Sequence, residues 1–167
     1  TKKKKIVVLG FLGTNLDLGG KARWGRWRPT ISLGQQDDLL VDRFELFYEK
    51  NFLDLAQLVQ KDFQQVSPET EFNLREVVLK DPWDFQTVYS GIFDNLKDYK
   101  FDTDNEEYLV HITTGTHVIQ ICLFLLTESR HIPGKLLQTH MQKSRNPNGA
   151  YTIIDLDLSK YDKIAER

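Results

Sequence analysis

Apolar runs with a period of two alternate along this chain with stretches whose apolar residues recur three and four apart. Lys5–Phe11 (KIVVLGF) is almost continuously apolar, the pattern of a strand covered on both faces. Asp42–Tyr48 (DRFELFY), Glu71–Leu79 (EFNLREVVL), Tyr108–Thr113 (YLVHIT) and Lys135–Gln142 (KLLQTHMQ) are the other predicted strands. Between them, residues 52–66 set Phe52, Leu55, Ala56, Val59, Phe63 and Val66 on one helical face. A second helix is predicted to open at Asp81-Pro82-Trp83-Asp84, with Asp81 as its cap, Pro82 in the first helical position and Asp84 at the positive dipole end. Its inner face is Phe85, Val88, Tyr89, Ile92, Phe93 and Leu96. A third helix is expected from Thr116 to Ser129, and a short one near Gln35–Leu40 inside the irregular link 12–41.

Strands alternating with helices imply right-handed crossovers and a parallel sheet. The expected fold is α/β, Rossmann-like and three-layered, with a mainly parallel sheet in the order 3-2-1-4-5. Asn148-Gly149 tolerates positive φ and predicts a hairpin turn. Ile154, Leu156 and Leu158 alternate with Asp155 and Asp157, so a C-terminal antiparallel arm is expected at the sheet edge. In this strand order the topological switch lies between strands one and four, where ligands bind outside the carboxyl ends. The loops meeting there are Gly13-Thr14-Asn15, after strand one, and Thr113-Thr114-Gly115-Thr116-His117, after strand four.

The second loop runs directly into a helix, whose first amides lack intrahelical partners and carry partial positive charge. With Gly115 permitting close approach and hydroxyls on Thr113, Thr114 and Thr116, it suits phosphate or a similar anion. The plain alternative is a capped helix after a tight turn. His117 can act as a phosphate donor or as an acid/base group, whereas His111, in mid-strand, reads as a core histidine. Asp42 and Arg43 open strand two, either facing the cleft or forming a structural ion pair. From Val118 to Leu126 every residue but Gln120 is apolar. A helix with no polar face must be covered, either by the arm of residues 135–158 or by a second copy of the chain.

The 167 residues are 40% hydrophobic and 28% charged with a net charge of −2, enough for a single cored domain and no global nucleic-acid signature. The charge is uneven. Residues 21–28 hold Lys21, Arg23, Arg26 and Arg28 with no acid, interleaved with Trp24 and Trp27. Such a patch suits single-stranded nucleic acid, guanidinium on phosphate and indole on base; the alternative is core tryptophans with solvated or paired arginines. Cys122 is the only cysteine, which excludes a disulfide framework and a cysteine metal cluster and suits a reducing cytoplasm. No apolar stretch approaches the roughly 18 residues of a membrane span. Gly-x-Gly-x-x-Gly and Walker patterns are absent, and no cofactor is expected.

GFLGTNLD, RWGRWRPTISLGQQDDLLVDRFEL, SPET, DPWDFQTVY, YLVHITTGTHVIQICLFLLTE and YTIIDLDLSKYDKIA together resemble the N-terminal domain of the RtcR family, bacterial activators of an RNA-repair operon. The likeness runs through essentially the whole chain. It implies a CRISPR-associated Rossmann-fold (CARF) domain spanning 1–167, part of a longer activator. Relatives of that type are dimeric sensors of cyclic oligoadenylates, with ligand loops at Gly13, Thr14 and Asn15 and at Thr113 to His117. In the family an AAA+ ATPase follows, acting with an alternative sigma factor RNA polymerase, and then a domain for promoter DNA; neither lies in this chain. The ligand implied is RNA or a tRNA fragment ending in a 2′,3′-cyclic phosphate, bound at a homodimer cleft, with no catalysis. On that expectation Arg23, Arg26 and Arg28 hold the RNA backbone, Trp24 or Trp27 stacks on a base, and binding relieves inhibition of the ATPase, with higher oligomers on activation. The alternative is a domain that binds and slowly cleaves a cyclic oligonucleotide, with His117 and Thr116 at the reaction.

Overall fold

The computed structural model describes residues 3–142 and 146–155. Its strands are β1 (Lys5–Phe11), β2 (Arg43–Tyr48), β3 (Glu71–Glu76), β4 (Glu106–His111), β5 (Gly134–Gln142) and β6 (Asn146–Ile154). They form one sheet in the order β3-β2-β1-β4-β5-β6, parallel throughout except for the antiparallel β5–β6 pair. The expected order and the terminal arm are both present. The helices are α1 (Pro29–Gly34), α2 (Leu53–Val66), α3 (Phe85–Leu96) and α4 (His117–Glu128).

Strand periodicity sorts the apolar residues onto two faces. Val8, Phe44, Leu46, Phe72, Leu109 and Leu137 pack under α1 and α2, where Phe44 stacks on Phe72 with centroids 4.9 Å apart. Val7, Leu9, Phe11, Phe47, Tyr108 and Val110 pack under α3 and α4. Each fully buried side chain of this size contributes about 1.5–3 kcal/mol, so both layers are needed. Among the described residues no helix is long and apolar enough to cross a membrane.

Several local expectations are corrected. The helix expected to open at Asp81, α3, starts at Phe85: Asp84 is the cap, its carboxylate accepting from the Thr87 amide at 3.0 Å and the Thr87 hydroxyl at 2.7 Å. Asp81 instead closes a turn by accepting from the Trp83 amide at 3.0 Å. Phe85, placed on the inner face by periodicity, is 44% exposed. The short helix in the first link falls at Pro29–Gly34, upstream of Gln35–Leu40, because Pro29 supplies the pre-set φ of its first position. Strand three ends at Glu76, after which Val77 and Leu79 turn down beneath α3.

Asn148-Gly149 is not the hairpin turn. Both residues lie inside β6, at an irregularity opposite His140–Gln142, and residues 143–145, which join the strands, fall outside the described residues. Gly149 has φ +74°, and a Cβ there would meet the indole of Trp27 and, at 2.8 Å, the His140 carbonyl. A close-packed bulge therefore uses the positive φ that a turn would have used. Leu156 and Leu158 also lie outside the described residues. The described part of the arm extends the sheet and packs Leu136 and Ile154 into the same cluster as the inner face of α4, leaving Ile121 and Phe124 49% and 39% exposed. Asp42 and Arg43 sit at the amino end of the sheet, away from the switch. Asp42 accepts from the Ile6 amide at 2.8 Å, and Arg43 pairs with Glu106 at 2.5 Å.

Candidate functional site

At the carboxyl ends of β1 and β4 the chain opens a cleft of about 430 Å³ lined by Gly13, Thr14, Asn15, Leu16, Trp83, Gly115, Thr116 and His117. The two loops expected at the switch thus share one cleft. They touch at Gly13, where a Cβ would stand 3.0 Å from a Thr114 methyl and 3.0 Å from an Asp17 carboxylate oxygen.

Each loop is held from below. Asp17, fully buried, accepts from the Gly13 amide at 2.9 Å, the Thr30 amide at 3.0 Å and the Thr30 hydroxyl at 2.6 Å. Burial pushes its carboxyl up from the usual range, against the pull of those donors. In the second loop Thr114 donates to the Phe11 carbonyl at 2.5 Å, tying β4 to β1. Thr113 accepts from the Thr139 amide at 2.8 Å. Gly115, at φ +89°, turns the chain into α4. Thr116 caps α4, accepting from the Ile119 amide at 3.1 Å, while its hydroxyl donates to the Pro82 carbonyl at 3.2 Å. The Gln120 side-chain amide holds the Gly115 carbonyl at 3.0 Å. The hydroxyls of Thr113, Thr114 and Thr116 therefore hold the structure, and among the described residues the first-turn amides of His117 and Val118 have no intrahelical partner. Among the described residues no carboxylate lines the cleft, and His117 is exposed at its mouth.

The basic aromatic segment does not reach this cleft. Arg28 is 2% exposed and donates to Asp62 of α2 at 2.8 Å; Arg23 donates to the same carboxylate at 2.7 Å. Arg26 is exposed and donates to the Leu18 carbonyl. Trp27 is half-buried against the β6 bulge, while Trp24, 42% exposed, has the Arg28 guanidinium 4.9 Å from its ring centroid. Arg23 and Arg28 are spent on a buried ion pair because Asp62 falls on the inner face of α2 and requires a partner. Leu16 and Trp83, which line the cleft, and Asp17, the buried anchor of its first loop, are the residues that sequence reasoning missed. The spacing of Asp17 from Gly13, one helical turn, is the signal that was there to find.

His111 is a core residue, as its mid-strand position implied. Its Nε2 lies 2.8 Å from the Thr139 hydroxyl, and burial pushes its pKa down to about 3. The unfolded chain takes up this proton near pH 6.5, so stability is lost as pH falls from there toward 3, by up to about 1.4 kcal/mol per pH unit. In an NMR titration the His111 ring should stay neutral at pH 5, and titration near 6.5 would refute its burial.

The molecule is a Rossmann-like α/β domain with a cleft at its topological switch point. The chain belongs to the RtcR family, described as regulator of RNA terminal phosphate cyclase, whose pattern matches residues 4–167. It is 47% identical over 169 residues to the transcriptional regulatory protein RtcR of Escherichia coli (strain K12), covering 98% of this chain and 32% of that protein. The fold is shared with Enterococcus italicus Csm6 bound to cyclic hexa-2′-fluoro-hexa-dAMP, at 14% identity and TM-score 0.70 over 97% of this chain and 45% of that one. It is also shared with Can2 from Sulfobacillus thermosulfidooxidans in complex with cyclic tetra-adenylate, at 16% identity and TM-score 0.55 over 90% and 37% of the two chains.

Proposed function

We propose that this chain is the ligand-sensing domain of a longer transcriptional activator, and that its cleft takes the 2′,3′-cyclic phosphate end of an RNA or tRNA fragment without cleaving it. The observation that carries this reading is a cleft with no carboxylate among its described lining residues, in which the first-turn amides of α4 stand across from the loop Gly13–Asn15. Helix amides and dipole favour an anion, and the positive φ of Gly115 brings backbone close to it. The kinship with a transcriptional regulatory protein supports the regulatory role, and the bound cyclic oligoadenylates of the two fold neighbours support a nucleotide-like ligand. Gly13, Thr14, Asn15, Gly115, Thr116 and His117 form the phosphate end of the site. Lys21, Trp24 and Arg26, exposed on the segment after the first loop, meet nucleotides further along the RNA.

Two copies pair through α4. Its exposed Ile121 and Phe124 continue into exposed Phe85 of α3, whose carbonyl lies 3.9 Å from the Cys122 sulfur. Pairing there covers the apolar side of α4 and sets two clefts near the dyad. Ligand then changes the arrangement of the dimer and relieves inhibition of the AAA+ ATPase that follows in the activator, which requires different affinities for the two arrangements. The test compares one RNA ending in a 2′,3′-cyclic phosphate with the same RNA ending in hydroxyls, by fluorescence anisotropy. The cyclic end should bind at least about tenfold tighter, the value of one charge-assisted contact; equal affinities would overturn the reading.

A further inference from the structure

Trp83 is 62% exposed at the rim of the cleft, yet the segment that carries it is held at every residue. Its own amide donates to the Asp81 carboxylate at 3.0 Å, and the Asp84 amide donates to the Asp81 carbonyl at 3.1 Å. The Pro82 carbonyl accepts from the hydroxyl of Thr116, the residue that caps α4. One side chain therefore sets both the anion-type end of the cleft and the position of the indole beside it. An exposed Trp on a loose loop would be unremarkable, but one held at a fixed distance from unpartnered helix amides matches a nucleotide, which offers phosphate and a flat ring together.

The other two tryptophans do not line the cleft. Trp27 is half-buried against Gly149, and Trp24 has the Arg28 guanidinium over its face. Trp83 has the His117 ring at 5.5 Å between centroids, tilted by 55°. That gap is less than two stacking distances, so no base fits between them, and a base must lie on the free face of the indole.

We propose that Trp83 is the stacking platform for the terminal nucleobase of the ligand, making the site one for a base together with its phosphate. This rests on the cleft being the RNA-end site. Stacking tolerates any base but rewards ring area, so the site favours a terminal purine over a pyrimidine, and any base over none.

The test uses the whole chain, wild type, Trp83→Ala and Trp83→Phe, with a short RNA ending in a cyclic phosphate. The terminal nucleotide is adenine in one probe and abasic in the other, and each probe is repeated with a hydroxyl end. Wild type should bind the adenine probe roughly 10- to 100-fold tighter than the abasic one, the range set by one base–aromatic stack. Trp83→Ala should lose that preference, its affinity falling far more for the adenine probe than for the abasic one, and Trp83→Phe should keep most of it. An unchanged preference in Trp83→Ala overturns the proposal. So does a loss of affinity for both probes that accompanies conversion of a dimer to a monomer in light scattering, because Trp83 would then belong to a protein interface. If cyclic and hydroxyl ends bind alike but the base preference still depends on Trp83, the cyclic-phosphate reading fails and the platform stands; if no probe binds, both fail.

Discussion

Replacing Asp62 by alanine should lower the unfolding free energy by about 3–5 kcal/mol, the cost of removing one partner from a buried ion pair. Asp62 and Arg28 each have 1% of the side chain exposed, and they lie 2.8 Å apart. Without the carboxylate the Arg28 guanidinium is left in an interior that cannot solvate it. Arg23, whose side chain is 24% exposed, loses a partner too but can turn to water, so it adds little. Domains of this size are stable by only about 5–15 kcal/mol, so the variant should unfold at markedly lower urea or temperature. Changing Asp62 and Arg28 together to apolar residues of similar volume should recover much of the loss. A single-variant loss below about 1 kcal/mol, the worth of a surface pair, would show that the pair is solvated.

Asp17→Ala should cost about 3 kcal/mol and weaken the cleft as well. The change leaves the Gly13 amide, the Thr30 amide and the Thr30 hydroxyl facing a vacated, buried site. Each orphaned buried donor costs about 1–3 kcal/mol, offset in part where the Thr30 hydroxyl rotates to another acceptor. Because Gly13 belongs to the cleft, the first loop loses its anchor, and ordering it then falls on the ligand. RNA-end affinity should drop by about tenfold, equivalent to about 1.4 kcal/mol of ordering. Asp17→Asn keeps one acceptor oxygen and should fall between the two. Urea unfolding and anisotropy on the same variants check both halves, and a stable Asp17→Ala with full affinity would mean that Asp17 does not hold the loop.

The switch-point loops were legible from the chain alone, because alternation of strand and helix patterns leaves few strand orders and each order names its own switch. Their hydroxyls were not. Thr114 and Thr116 looked like ligand donors, and the structure uses them on Phe11 and Pro82. Trp83 looked like part of a helix start. Its place at the cleft depends on a hydrogen bond to Thr116, on a residue 34 positions away from Pro82. Asn148-Gly149 had the composition of a turn, but a positive φ serves a packed bulge as well as a turn, and dipeptide chemistry does not distinguish them.

Periodicity, crossover handedness and the long family motifs settled the layers, the strand order and which two loops meet, since these follow from local pattern and a few chiral rules. Tertiary packing alone decided which polar groups are already occupied. Arg28 and Asp62 are 34 residues apart, and nothing local to either marks the other as its partner. Whether a guanidinium, hydroxyl or indole remains available to a ligand depends on what the folded chain brings against it, and burial and pairing of that kind arise only when distant elements pack.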